Sequence, residues 1–370
     1  MIKKFLIMTL AVFTAACSSD NGKTDDPPVG NGDNFDRGTL LTDLADNTII
    51  PAYQDLGSKL SALVAAKDDF IATPDQPNLD GLRTAWLNAY KVWQHVEMFN
   101  IGKAEEIQYG FQMNTYPASV TEIESNISSA SYDLGHVNNF VAVGFPAVDY
   151  LLYGVEGTDE AILEKYTTNG DAAKYKTYLS DVVDQMKSLT ETVLNDWIGA
   201  YRSAFIASTT NTAASAVNKL VNDYIFYYEK GLRANKVGIP AGIYSMTPLP
   251  EKVEALYHKE VSKELILEAL MAVQNAFNGK HYGSSASGEG FKSYLESLDK
   301  SDLATSINTK LDAAREKINV LDNSFYEQVN TDNIKMTQAF DALQEVVVLV
   351  KVDMLQAFNI SVDYVDADGD

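Results

Sequence analysis

Two carboxylates stand where carboxylates are costly. The first is Asp149, in Gly144-Phe-Pro-Ala-Val-Asp-Tyr-Leu-Leu-Tyr-Gly154. Read as a short helix, this stretch gives Asp149 the neighbours Phe145, Pro146, Leu152 and Tyr153 at three and four positions, all apolar. A helix that is apolar all round is buried. A buried carboxylate must be paired, hydrogen-bonded or bound to a metal. The second is Glu97. Leu82, Trp86, Tyr90, Trp93 and Glu97 follow one another at helical spacing, so Glu97 continues an aromatic stripe rather than a solvent face. Carboxylates and phenols are hard oxygen donors that suit hard cations. Asp149 and Glu97 are therefore the candidate metal ligands. Trp86, Tyr90, Trp93, Tyr116 and Tyr150 form the candidate aromatic wall. The plainer alternatives are a surface glutamate at the edge of a core stripe, and an Asp149 that pairs with a base to close the core. Arg233 and Lys236, near a helix end, are the candidate bases, and the helix dipole would favour cations there in any case.

The elements that must position these groups are helices. From Arg37 onward apolar residues recur at three- and four-residue steps, and few stretches alternate with period two. Pro51 is placed to kink or divide the first helix. Asn78 is a candidate N-cap for the aromatic-stripe helix, and Pro146 is tolerable in the first turn of the next. Long helices are expected over 175–207 and 212–236, with a Gly/Pro-rich loop after them. Four more follow, over 261–278, 290–298, 303–321 and 332–358. The pattern is all-α, about ten helices built as two bundles. We expect the first bundle over 37–168 and the second over 169–370. A weak internal repeat suggests a duplication: Ala147-Val148 and Gly154 recur as Ala272-Val273 and Gly279, and Trp93…Glu97 echoes Ile225…Glu229.

The chain has 370 residues and a formal net charge of −22. So acidic a surface argues against nucleic-acid binding, which uses basic patches. The single cysteine, Cys17, follows Lys3-Lys4, an apolar run and Thr14-Ala-Ala. That order reads as a secretory signal over 1–16 ending in a lipobox, with lipidation at Cys17 and a polar tether over 17–36. No later run is long and apolar enough for a membrane span. The expected location is the cell envelope, lipid-anchored at the outer membrane.

The order of these pieces resembles the imelysin-like family, bacterial secreted or lipid-anchored proteins first grouped as metallopeptidases and linked to iron uptake. The resemblance rests on Trp86…Trp93-Gln-His-Val-Glu97, Asn114-Thr-Tyr-Pro117, Gly144-Phe-Pro-Ala-Val-Asp149, Lys236-Val-Gly-Ile-Pro240, Ala276-Phe-Asn-Gly279 and the acidic ending from Val362. It implies a binding protein for iron or haem, working with iron-uptake transporter components. The ligand would sit between the bundles, among Asp149, Glu97, Trp86, Trp93, Tyr116, Pro146, Tyr150 and Arg233. A metallopeptidase and a non-catalytic scaffold are the alternatives. The family signature Gly-x-His-x-x-Glu is altered here. Gly144 matches, but Pro146 stands at the histidine position and Asp149 at the glutamate position. Proline offers no lone pair to a metal, and the chain has no His-Glu-x-x-His arrangement, which argues against zinc. His136 is the nearest substitute histidine. Asp366-Ala-Asp-Gly-Asp370 resembles the start of a calcium loop without its later ligands.

Overall fold

The aromatic-stripe helix shows how local chemistry sets the elements. Asp75, not Asn78, is its N-cap: the Asp75 carboxylate accepts the Asn78 amide, and Pro77 occupies the first turn, where no N–H is needed. The helix runs Gln76–Trp93 and then tightens into a turn over 94–98, so Glu97 lies on the turn and not on the helix proper. The opening helix, continuous over 37–72, widens into a π turn at Ala45–Ile49 just before Pro51. A proline has no N–H to return to the preceding turn, which is where such a widening forms.

The computed structural model describes residues 33–364. The signal segment, Cys17, most of the tether and the acidic ending from residue 365 lie outside the described residues. The described chain is helical, with one isolated bridge, Lys280 to Ser287, as its sole β pairing. Among these residues no helix is long and apolar enough to cross a membrane.

Two groups of helices share one continuous core. In the first, Ile50–Ala72 packs on Gln76–Trp93 and on Ala172–Asp196. Lys67 reaches Asp184 at 2.8 Å, and the Tyr109 hydroxyl meets that of Thr190 at 2.6 Å. The helix after residue 169, expected to open the second bundle, therefore packs within the first. In the second group, 216–238, Ser262–Phe277, Ser301–Asn319 and 333–358 pack on one another. From Phe35 onward the described residues form one compact unit. Lys91–Glu264 (2.6 Å) and His95–Glu268 (3.0 Å) tie the two helix groups together.

The motif helix, Gly144–Asp149, is continued by a π segment, Tyr150–Gly154. Its ends are set by close approach. Gly144 has φ +73°, and a Cβ there would lie 2.2 Å from the Met113 carbonyl oxygen. A Cβ on Gly154 would lie 2.3 Å from the Tyr257 ring. The motif is thus pressed between the 109–114 helix and an irregular segment around residue 257. Beneath it Trp86, Tyr90 and Trp93 are fully buried, with Tyr90 stacked on Phe145 at 4.4 Å. Cutting any of these rings to alanine is expected to cost about 3–5 kcal/mol.

Candidate functional site

Asp149 is buried, at 1 % exposure, and its partners are not side chains. One oxygen accepts the Tyr257 amide and the other the His258 amide, each at 2.9 Å. Burial pushes its pKa up to about 7, and the two amides hold it down from rising further. The expectation that Arg233 or Lys236 pairs with Asp149 is therefore corrected. Backbone amides of the 253–261 segment satisfy it, and both bases are engaged elsewhere.

That segment brings in a residue the sequence reading missed. Glu254 is 3 % exposed and sits at the centre of a polar cluster. Its Oε2 accepts from Lys236 Nζ at 2.6 Å. Its Oε1 accepts from Asn114 Nδ2 at 3.0 Å and from Gln94 Nε2 at 3.2 Å. Asn114 also donates to Glu97 Oε1 at 3.0 Å and accepts the Tyr90 hydroxyl at 2.6 Å. Lys236 lies 3.8 Å from Glu97 Oε2, an ion-pair distance but not a hydrogen bond. Two carboxylates therefore share one lysine. Burial pushes the Glu97 pKa up; Lys236 opposes this, and the Glu254 charge adds to it.

The cluster is incomplete on the Glu97 side. Glu97 Oε2, Trp93 Nε1, Gln94 Oε1 and the hydroxyls of Tyr116 and Tyr227 are buried and make no hydrogen bond of good geometry among the described residues, although the Trp93 indole and the Tyr227 hydroxyl both interact with the Glu97 carboxylate. Such atoms are rare in a finished core and call for an explanation. Beside them opens a cavity of about 300 Å³, lined by Glu97, Asn114, Tyr116, Asp223, Tyr227 and Lys230 among others. One wall is the π segment Tyr227–Gly238, which carries Tyr227, Lys230 and Lys236. Wide turns of this kind are frequent at functional sites. Asp223, at the cavity edge, has its pKa pushed up to about 8 by burial and by Glu105 and Asp363. Burial, then the charges of Glu97 and Glu254, raise Tyr227 well above the ordinary phenol range. Acidic charge thus gathers at Glu97 and Asp223, with Lys230 on the cavity wall and Lys219 acting on Asp223.

The structure divides the sequence-predicted site residues. Glu97 and Tyr116 line the cavity, and the buried Trp93 indole interacts with Glu97 without a hydrogen bond of good geometry. Trp86 belongs to the core: its indole donates to the Phe145 carbonyl at 3.1 Å. Pro146 is buried in the motif helix. Tyr150 donates to Glu124 at 2.6 Å and packs on Tyr257. Arg233 pairs with Glu229 at 3.5 Å and lies over the Phe340 ring. Asp149, with both oxygens turned to amides, does not line the cavity. His136 is exposed and caps its own 3₁₀ turn, so it does not replace the motif histidine. Among the described residues no group of three or more His, Cys, Asp or Glu side chains is placed to hold a metal ion, so a metal here would also need the phenols.

The Imelysin family model, labelled Peptidase_M75, matches residues 49–350. The chain belongs to the imelysin family. Two solved structures have the same fold as this imelysin. An imelysin-like protein from Psychrobacter arcticum 273-4 aligns with TM-score 0.71 at 18% identity, covering 89% of this chain and 97% of its own. A protein of Parabacteroides distasonis ATCC 8503, described as an iron-regulated protein A precursor, aligns with TM-score 0.71 at 20% identity, covering 87% and 95%. No curated protein matches the sequence.

Proposed function

We propose that this imelysin is a cell-envelope binding protein that takes a small positively charged cargo, an iron species, into the cavity at Glu97. The observation that carries this reading is the unequal charge: Glu97 and Glu254 share Lys236, and the Glu97 oxygen left without a hydrogen bond is beside the cavity. A cation is the ligand that completes such a cluster, and carboxylate and phenol oxygens suit a hard one. The iron class is supported by the family and by the description of the Parabacteroides protein. The cavity is at the small end of the range for organic ligands, so a bare ion or small chelate fits inside it. Haem would have to lie across its mouth.

Anchoring at the outer membrane through Cys17, and delivery to iron-uptake transporter components, belong to the same proposal. The metallopeptidase alternative has less support. Pro146 cannot ligate, and both Asp149 oxygens already accept backbone amides.

The test is the stability of the protein with ferric iron, ferrous iron, haem, zinc and calcium in turn. A cargo present at a hundredfold excess over its dissociation constant raises the apparent stability by about 2.7 kcal/mol. Iron is expected to do so, and Glu97→Gln to remove the effect. No shift with iron, or one that survives Glu97→Gln, would sink the reading.

A further inference from the structure

The residues at 249–261 hold no regular element beyond a single 3₁₀ turn, Pro250–Lys252. Yet they are tightly placed. Val253, Glu254 and Ala255 are buried, and Ala255 and Lys259 adopt positive φ, at 56° and 63°. Left-handed backbone at non-glycine residues persists only where the surroundings enforce it. Two contacts enforce it here. Ser262 Oγ donates to the Glu254 carbonyl at 2.9 Å. Asp149 accepts the Tyr257 and His258 amides. Glu254 is three residues from Tyr257, a stretch that can span at most about 10–11 Å. Fixing the two amides therefore limits where the Glu254 carboxylate can go.

We propose that Asp149 is a positioning residue for the Glu97 cavity: it latches the 253–261 segment and so keeps Glu254 on Lys236, Asn114 and Gln94. This rests on the Glu97 cavity being the binding site. It gives the altered motif a function that needs neither a histidine nor a metal. When the latch loosens, Glu254 withdraws, Lys236 swings to Glu97, and the unmatched charge that attracts a cation disappears.

The setting makes the latch responsive. The groups that face Asp149 are Tyr90 from the aromatic-stripe helix, Tyr153 from its own helix and Tyr257 from the latched segment. The phenol pKa of each rises with burial and with the Asp149 charge. Nearby, the His258 ring stacks on Tyr153 at 4.4 Å, and burial lowers its pKa. Arg83 lies over the same Tyr153 ring but is paired with Asp159 at 2.7 Å. Among the described residues no cation pairs with Asp149; the two amides hold its charge. Because burial brings the carboxyl up to about 7, its hold on the amides changes near neutral pH. An ionised carboxylate accepts both strongly, whereas a protonated one keeps full acceptor strength at one oxygen.

The test uses the full-length protein and Asp149→Asn, which keeps the shape and one good acceptor. Three quantities are read: hydrogen exchange at the Tyr257 and His258 amides, the Asn114 side-chain amide resonance, and ferric iron affinity at pH about 6 and about 8. In the variant the two amides should exchange faster and the Asn114 resonance should move. Iron binding at the higher pH should weaken by about tenfold, the equivalent of one charge-assisted hydrogen bond. The wild-type loss of affinity towards lower pH should become shallower, leaving the part due to Glu97 and Asp223. An unmoved Asn114 resonance, or freed amides with unchanged affinity, would overturn the latch. So would weaker binding with protected amides, which would make Asp149 a direct ligand. If iron does not bind the wild type at all, the cavity reading fails by itself, and the Asn114 resonance still decides whether Asp149 positions Glu254.

Discussion

Glu97 and Glu229, the two glutamates aligned by the weak internal repeat, have opposite surroundings. Glu229 is 0 % exposed and oversupplied with donors. Lys351 lies 3.1 Å from it, Arg233 3.5 Å, Lys230 3.8 Å, and the Tyr364 hydroxyl 3.1 Å from its second oxygen. Glu97 shares a single lysine with another carboxylate and keeps an unmatched oxygen near a cavity. Burial of an acid is therefore not by itself a sign of function. A saturated buried acid holds helices together. An undersupplied one next to empty space is open to a ligand.

The largest effect expected from this contrast is at the saturated site. Glu229→Ala removes the carboxylate shared by the buried Arg233 and the partly exposed Lys351 and should cost about 3 kcal/mol in urea unfolding, with iron affinity unchanged. A loss no greater than that of Glu97→Ala would break the comparison. Next is Lys236→Met, which leaves the buried Glu254 and the half-buried Glu97 without the lysine they share. It should cost about 3 kcal/mol at pH 8. The loss should shrink towards pH 5, because Glu97, already shifted upward, takes a proton more readily once the lysine is gone. A deficit independent of pH would mean that Lys236 acts through packing alone.

The parts that a periodic pattern can carry were legible in the sequence. Trp86, Tyr90, Trp93 and Glu97 announced a buried face with a carboxylate at its end, and the ring of apolar neighbours announced the burial of Asp149. The partner of Asp149 was not legible. Every residue but proline has a backbone N–H, so Tyr257 and His258 carry no mark as donors. Glu254 was missed for a related reason: it is buried in an irregular segment, where no period separates inside from outside. The Asn114-Thr-Tyr-Pro117 run was visible as a motif, but its link to Glu254 spans 140 positions. The packing of 172–207 on the first helix group was hidden as well. An amphipathic helix shows that it has a partner, not which one.

Glu97→Gln should leave stability unchanged or raise it near pH 8, because it removes a carboxylate charge that burial disfavours and that Lys236 only partly offsets. The sign follows from the upward shift. The folded pKa of Glu97 lies above its unfolded value, so its ionisation costs stability as pH rises through the interval between them. The variant should lose that downward slope in urea midpoints, and lose iron binding with it. A residue kept at a cost to stability, and needed for the ligand, is what separates this glutamate from Glu229. If Glu97→Gln destabilises strongly instead, Glu97 is a structural ion-pair residue and the two sites are alike.

The smallest change sharpens the contrast most. Tyr227→Phe removes one buried hydroxyl without moving the ring. That hydroxyl makes no hydrogen bond of good geometry, although it interacts with the Glu97 carboxylate, and its residue is 5 % exposed. Where a hydroxyl is already satisfied, as at Tyr228, which donates to the Leu343 carbonyl at 3.0 Å, removal strands the acceptor and costs about 1 kcal/mol. Where it is unmatched, removal relieves a desolvated polar atom and stability should hold or rise by a similar amount. The neighbouring pair Tyr227→Phe and Tyr228→Phe should therefore shift the urea midpoint in opposite directions, although both rings belong to one π segment. Only Tyr227→Phe should weaken iron binding, by about three- to tenfold for the loss of one oxygen contact. Equal losses of stability in the two variants would show that the Tyr227 hydroxyl is satisfied after all, and the cavity beside Glu97 would lose one of the atoms that mark it as a site.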